Sequence, residues 1–254
     1  MAHIVCVVNQ KGGVGKTTTA VNIAAALAVK RIKTLIVDCD PQANATTGLG
    51  IDKKTLKKTL YNLLIENNDP EDAICDTEID TLKIIPSKME LIGFEIEMLN
   101  SPNRSDYLKN VLKSIDYMFD YIVIDCPPSL NLLTVNAMTA ADSLLIPIQS
   151  EFYALEGLSQ LLETVKRIKS KLNPNLMILG ILLTMFDKRT NLSRQALEEA
   201  EKYFSHLIFK TKIPRNVSLA EAPSFGQTII TYAPASIGAQ SYSALADEIL
   251  NKKR

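Results

Sequence analysis

The run Asn9-Gln10-Lys11-Gly12-Gly13-Val14-Gly15-Lys16-Thr17-Thr18 combines glycine, lysine and threonine at the spacing of a phosphate cradle. Glycines let the backbone turn tightly and bring successive N–H groups against phosphate oxygens. A helix that starts directly after the run adds unpaired N–H donors and the positive end of its dipole. In that setting Lys16 reaches the β- and γ-phosphates, and the Thr17 hydroxyl ligates Mg²⁺. Gly12, Gly13, Val14, Gly15 and Thr18 complete the cradle. The chemistry implied is the binding of a nucleoside triphosphate.

Such a loop works only between a strand and a helix. Residues 3–8 (HIVCVV) are apolar and β-branched, as a buried strand requires, and residues 19–30 (TAVNIAAALAVK) are helix formers with an apolar face. Further strands are expected at 34–37, 82–85, 121–124, 143–148, 177–184 and 207–210. Helical periodicity marks 156–172, 192–204 and 241–250. Near-continuous apolar strands alternating with helices imply an α/β fold: a mostly parallel, doubly wound sheet with helices on both faces, like that of P-loop NTPases. No low-complexity linker or repeat interrupts 1–254, so a single domain is expected. Ligands of such sheets sit at the carboxyl ends of the strands. Asp38 and Asp40 follow one strand end and Asp125 another. Asp-Pro and Cys-Pro-Pro sequences also stop strands as turn formers, but beside a glycine loop the carboxylates acquire a functional reading.

The loop departs from G-x-x-x-x-G-K-[ST], whose first glycine would fall at Gln10. It fits K-G-G-x-G-K-[ST], with an extra lysine, Lys11. Here the chain resembles the deviant Walker A ATPases, the group that contains the ParA/Soj partition proteins, the MinD division-site proteins and the nitrogenase iron protein. The resemblance implies ATP as the nucleotide and an ATP-sandwich homodimer in which Lys11 reaches the nucleotide of the other subunit. Residues 34–42 (TLIVDCDPQ) and 121–128 (YIVIDCPP) look like the family's second switch segment and its Walker B strand. That implies Mg²⁺ held by Asp125 through a water, a supporting place for Asp38 in the metal shell, and Asp40 orienting the attacking water. Asp40 is chosen because the family's catalytic aspartate takes the second acidic place of D-x-D-P. The implied reaction is in-line attack of water on the γ-phosphate, with Mg²⁺, Lys16 and Lys11 neutralising the spreading charge.

Residues 182–190 (LLTMFDKRT) and 213–226 (IPRNVSLAEAPSFG) also resemble the ParA/Soj branch, so the resemblance spans nearly the whole chain. It assigns Pro214 and Asn216 to the adenine. A proline that ends a strand and an asparagine that caps the next helix are compatible with that role. Ser218 stands where many relatives carry a basic residue, a departure from the family pattern.

Lys+Arg and Asp+Glu both number 28, so net charge signals neither nucleic acid nor membrane, and DNA binding has to come from a local patch. The basic clusters are Lys188/Arg189/Arg194, Lys210/Lys212/Arg215 and Lys252/Lys253/Arg254. Arg189 and Arg215 are the leading DNA candidates, with Lys252, Lys253 and Arg254 behind them. Lys53, Lys54, Lys57 and Lys58 read as an exposed helix face. The C-terminal apolar residues Leu245, Ile249 and Leu250 precede the basic tail and leave no separate face to lie on a membrane. That disfavours the MinD-like alternative, a membrane-associated regulator of cell division.

The cysteines Cys6, Cys39, Cys75 and Cys126 lack metal-ligand spacing and read as small hydrophobes, which counts against a cluster-bearing iron protein. His3 and His206 receive no chemistry. No run approaches the ~18–20 apolar residues that span a bilayer, and no signal peptide precedes the first strand, so a cytoplasmic, nucleoid-associated protein is expected. Taken with the resemblance, these features point to a Mg²⁺-dependent ATPase of chromosome or plasmid partitioning. It would bind DNA nonspecifically in its ATP state, release it on hydrolysis and answer to a ParB-type stimulating partner.

Overall fold

Successive residues of a strand point to opposite faces, and this chain makes both sets apolar. In the computed structural model, which describes residues 1–150 and 154–252, Cys6, Leu35, Val37, Ile122, Ile124, Leu144 and Ile146 enter one core layer. Their neighbours Val5, Val7, Ile36, Val123 and Leu145 enter the other. The strands are β1 (His3–Val7), β2 (Thr34–Asp38), β3 (Cys75–Asp76), β4 (Leu82–Ile85), β5 (Tyr121–Asp125), β6 (Ser143–Gln149) and β7 (Met177–Thr184). They form one sheet in the order β3-β4-β2-β5-β1-β6-β7. Every pairing is parallel except that of β3, which runs antiparallel along β4.

The helices are α1 (Lys16–Ala28), α2 (Asn44–Gly48), α3 (Leu60–Ile65), α4 (Gly93–Glu97), α5 (Tyr107–Ile115), α6 (Leu132–Ala140), α7 (Ala154–Lys171), α8 (Asn191–Phe204), α9 (Val217–Glu221), α10 (Ile229–Tyr232) and α11 (Ile237–Lys252). α3, α5, α6 and α7 cover one face of the sheet. α1 and α11 pack together over the other, where Tyr242, Leu245 and Ile249 are buried. The expected mostly parallel, doubly wound sheet with helices on both faces is present.

Three local expectations are corrected. Residues 207–210 are no strand; a single bridge joins Ile208 to Ile181. The Glu248 carboxylate of α11 takes the next amides, accepting from the N–H of Lys210 at 2.8 Å and of Thr211 at 3.0 Å, so the ladder stops. The close approach there depends on Gly180, where a Cβ would lie 2.5 Å from the Phe209 ring. Residues 53–58 are turn and coil rather than helix, because the Asp52 side chain takes the Lys54 N–H at 2.9 Å in a local turn. Asp38 and Asp125 are the last residues of β2 and β5, not the first beyond them.

Candidate functional site

The glycine loop joins β1 to α1 at the carboxyl edge of the sheet. Gly13 and Gly15 adopt φ of +74° and +82°, the left-handed region that glycine enters without strain. Gly15 serves as the N-cap of α1 with no side-chain acceptor on the first turn, which leaves those N–H groups available to a ligand. Polar ends of three neighbouring strands pin the loop. Asn9 donates to the Pro147 carbonyl at 2.7 Å and accepts from the Lys11 N–H at 2.9 Å. Gln149, at the end of β6, donates to the Gly13 carbonyl at 2.9 Å. Thr184, at the end of β7, directs its hydroxyl to the carbonyls of Val14 (2.9 Å) and Ile148 (3.1 Å). Sequence reasoning gave Asn9, Gln149 and Thr184 no part in holding the loop; the available signal was a polar residue closing an otherwise apolar strand.

Lys16 is 7% exposed, and its ammonium donates to the Lys11 carbonyl at 2.9 Å, curled inside the loop. Burial lowers its pKa, opposed by the carboxylates of Asp125 and Asp40 nearby. Lys11, Gly12 and Gly13 form the exposed crest. Among the described residues a Cβ built on Gly12 meets no atom within 4 Å, so none of them demands glycine there.

The sheet register sets the acidic side of the site. Asp125 pairs with Val7 on one flank and with Asp38 on the other, which places both carboxylates level with the start of the loop. Asp38 is fully engaged. Its Oδ1 accepts from the Asp40 N–H (3.1 Å), and its Oδ2 from the N–H (2.8 Å) and hydroxyl (2.7 Å) of Thr46. Burial raises its pKa to about 6 against the lowering effect of these bonds. Asp38 therefore holds the Asp40 loop and α2 in place. Asp40 is 6% exposed, and its Oδ1 accepts from the Gln42 N–H at 2.9 Å.

Asp125 is the opposite case: it is fully buried, and among the described residues neither carboxylate oxygen has a hydrogen-bond partner. Burial pushes its pKa well up and Asp38 adds to the rise, while Thr17, at a geometry short of a hydrogen bond, and Lys16 pull it down. Buried polar atoms without partners are uncommon, and a carboxyl group with two open oxygens beside a threonine hydroxyl is a donor set for a hard divalent cation.

A cleft of about 200 Å³ opens beside the loop, lined by Gly15, Thr18, Met185, Pro214, Asn216 and Leu219. It brings Pro214 and Asn216 next to the glycine loop. Asn216 caps α9, accepting from the Leu219 N–H at 3.3 Å, and Pro214 bridges Phe186.

Parts of two basic clusters converge on one groove of about 560 Å³, where Lys188 and Arg189 meet Lys212 and Arg215 around Phe186. Arg189 is anchored by a two-pronged pair with Asp187 (3.0 and 2.8 Å), which holds the Asp187 carboxyl down at about 2. Lys252 lies elsewhere. Its ammonium donates to the Leu179 carbonyl at 3.2 Å and sits 4.1 Å from the centre of the Phe209 ring. Leu179 is near the start of β7, away from the nucleotide edge of the sheet. Lys253 and Arg254 lie outside the described residues.

A family model described as an AAA domain matches residues 2–178. The chain is 52% identical to the sporulation initiation inhibitor protein Soj of Bacillus subtilis, covering 98% of each chain. It is 49% identical to the chromosome partitioning protein ParA of Myxococcus xanthus, over 99% of this chain and 89% of that one. Among solved structures it is similar to cobyrinic acid a,c-diamide synthase of Mycobacterium smegmatis with a bound ATP analogue and magnesium. That match has a TM-score of 0.87 and 34% identity, and covers 99% of this chain and 95% of the other. With relatives this similar along almost its whole length, this chain belongs to the ParA/Soj family of partition ATPases.

Proposed function

We propose that this protein is a Mg²⁺-dependent ATPase that closes as an ATP-sandwich homodimer, binds DNA nonspecifically in that state and lets go on hydrolysis. The observation that carries the reading is the unpartnered carboxylate of Asp125 at the strand tip, level with the glycine loop and beside Thr17 and Lys16. The residues present fit Mg²⁺: Thr17 would ligate it directly and Asp125 through a water. Held there, the ion would supply positive charge against the negative charge that develops on the phosphate during transfer. Lys16 swings from the Lys11 carbonyl to the β- and γ-phosphates, and the N–H groups of residues 13–18 take the remaining oxygens. Asp40 orients the attacking water, and Asp38 keeps it in position. Pro214 and Asn216 hold the adenine.

Dimer closure follows from the crest of the loop. Lys11 stands exposed where it can reach a second subunit's nucleotide, and Gly12 keeps the way clear. ATP then acts as interface material and shifts the population to the closed dimer. Gly12→Val keeps the monomer folded, since the new side chain has open space, but abolishes the ATP-dependent mass doubling in light scattering. A variant that still dimerises with ATP would remove Gly12 from the interface.

DNA is assigned to the joint groove of Lys188, Arg189, Lys212 and Arg215 rather than to Lys252, whose ammonium sits on the Leu179 carbonyl near the start of β7, away from the nucleotide edge. Backbone neutralisation by such a patch is salt-dependent and blind to sequence. Binding to random duplex DNA is expected with ATP and not with ADP, and to weaken about 10-fold or more as salt rises from 50 to 200 mM. Arg189→Glu removes it while leaving ATP affinity unchanged. No DNA binding in any nucleotide state would redirect the search to ATP-dependent liposome sedimentation. A ParB-type protein as the stimulating partner, the cargo, and a cytoplasmic, nucleoid-associated location complete the proposal on the strength of the family.

A further inference from the structure

Two glycine turns meet where the base side of the site touches its acidic side. Gly50 and Gly226 both adopt the left-handed backbone, at φ of +76° and +66°. A Cβ built on Gly226 would lie 2.6 Å from the Gly50 Cα and 3.1 Å from its N, and one built on Gly50 would lie 3.0 Å from the Gly226 carbonyl oxygen. Either would press on backbone, which cannot turn aside as a flexible side chain can. Glycine is demanded at both positions by the dihedral and again by the space.

Each glycine closes a short segment that begins at the nucleotide site. On the base side, Asn216 caps α9, which runs without a break into a 3-10 turn (Ala222–Phe225). Gly226 ends that turn with its N–H on the Pro223 carbonyl at 3.1 Å. On the acidic side, the Ala43 N–H returns to the Asp40 carbonyl at 2.8 Å, α2 follows, and the Gly50 N–H closes on the Thr47 carbonyl at 3.0 Å. The base-side segment also reaches the helix behind the phosphate loop. The Ile229 N–H donates to Asn22 Oδ1 at 2.8 Å, and Asn22 Nδ2 donates to the Thr18 carbonyl at 2.8 Å. A cleft of about 400 Å³ lies between α1, α2 and the 3-10 turn, so the two segments are not packed solidly along their length.

We infer that Gly50 and Gly226 are positioning residues through which adenine binding sets the place of Asp40. Contact of the base with Pro214 and Asn216 shifts residues 214–226, and the glycine contact passes the shift to residues 40–50. Short rigid elements joined at one close contact carry such a coupling when the ligand favours one arrangement over another. It rests on the roles proposed above for Asn216 and Asp40.

Hydrogen exchange tests it with Mg²⁺-ADP against Mg²⁺-pyrophosphate, which enters the phosphate loop without a base; neither carries the γ-phosphate that closes the dimer. In the wild type ADP should slow exchange at Leu219 on the base side and at Ala43 and Thr47 on the acidic side, and pyrophosphate should slow neither. In Gly226→Ala, ADP should still protect Leu219 but lose its effect on Ala43 and Thr47. If that variant fails to fold, Gly50→Ala, with the milder clash, is read the same way. Gly48→Ala adds a methyl at the same junction, 3.7 Å from the Pro223 Cβ, and should behave as the wild type. Loss of the Ala43 effect in Gly48→Ala too, or equal protection of Ala43 by pyrophosphate, overturns the coupling. So does retained protection of Ala43 in Gly226→Ala. In turnover, Gly226→Ala should lower kcat for ATP by about 3- to 30-fold, the range that coupling mutations cover, with KM nearly unchanged. A raised KM at unchanged kcat would confine the contact to binding and overturn the positioning role. Wild-type protection at Leu219 with none at Ala43 overturns the coupling alone, whereas no protection at Leu219 removes the base position as well.

Discussion

Lys16→Ala lowers ATP affinity by about 100-fold or more in calorimetric titration, because truncating one member of a desolvated charge pair costs roughly 2–5 kcal/mol. The lysine is 7% exposed and already aimed at the mouth of the loop, with its ammonium on the Lys11 carbonyl at 2.9 Å. A triphosphate offers that ammonium a stronger, charged acceptor at the cost of one neutral bond. Folding should survive the change. Burial disfavours the charged lysine, as its lowered pKa records, so the alanine variant sheds a desolvation cost and its melting temperature should not fall. Micromolar ATP binding by a folded Lys16→Ala protein would refute the assigned role.

Asp40→Ala should still bind ATP and dimerise while phosphate release falls by about 10²–10⁴-fold, the range a positioned acid–base group contributes. Asp40 also has a structural task, since its Oδ1 takes the Gln42 N–H at 2.9 Å. Asp40→Asn separates the two roles: the amide oxygen keeps that bond, and the loss of charge alone should abolish turnover. Asp38→Ala is the contrasting case. It removes an acceptor of three hydrogen bonds, so it should loosen the segment from Asp40 to Thr46 and lower thermal stability as well as turnover. Normal phosphate release by Asp40→Asn would move catalysis to another residue.

Much of the site was legible because its chemistry is local. A glycine loop needs its lysine and threonine at fixed offsets, and a strand tip needs its aspartate at the end of an apolar run. Lys16, Thr17, Asp38, Asp40 and Asp125 could thus be named from composition and order, and the register of β1, β5 and β2 sets Asp125 between the loop and Asp38. The residues that hold the loop were not legible. Gln149 and Thr184 lie 136 and 170 residues from the carbonyls they bind. No period or short motif records a contact at that separation.

The basic clusters divide along the same line. Each was visible as a run, yet the bridge between Phe186 and Pro214 is what brings Arg189 and Arg215 to one groove. Lys252 went the other way. Gly180 leaves room for Phe209, and that ring with the Leu179 carbonyl draws the ammonium onto the body. The contact between Gly50 and Gly226 was hidden for a related reason: in sequence they are single glycines in unrelated turns.

By itself the sequence determined the α/β class, six of the seven strands, the phosphate loop and its family, because these follow from side-chain period and from chemistry at short range. Tertiary structure alone decided which polar groups end without a partner, which cations stay available and which turns meet. Those properties belong to pairs of residues far apart in the chain, and only packing chooses the pairs.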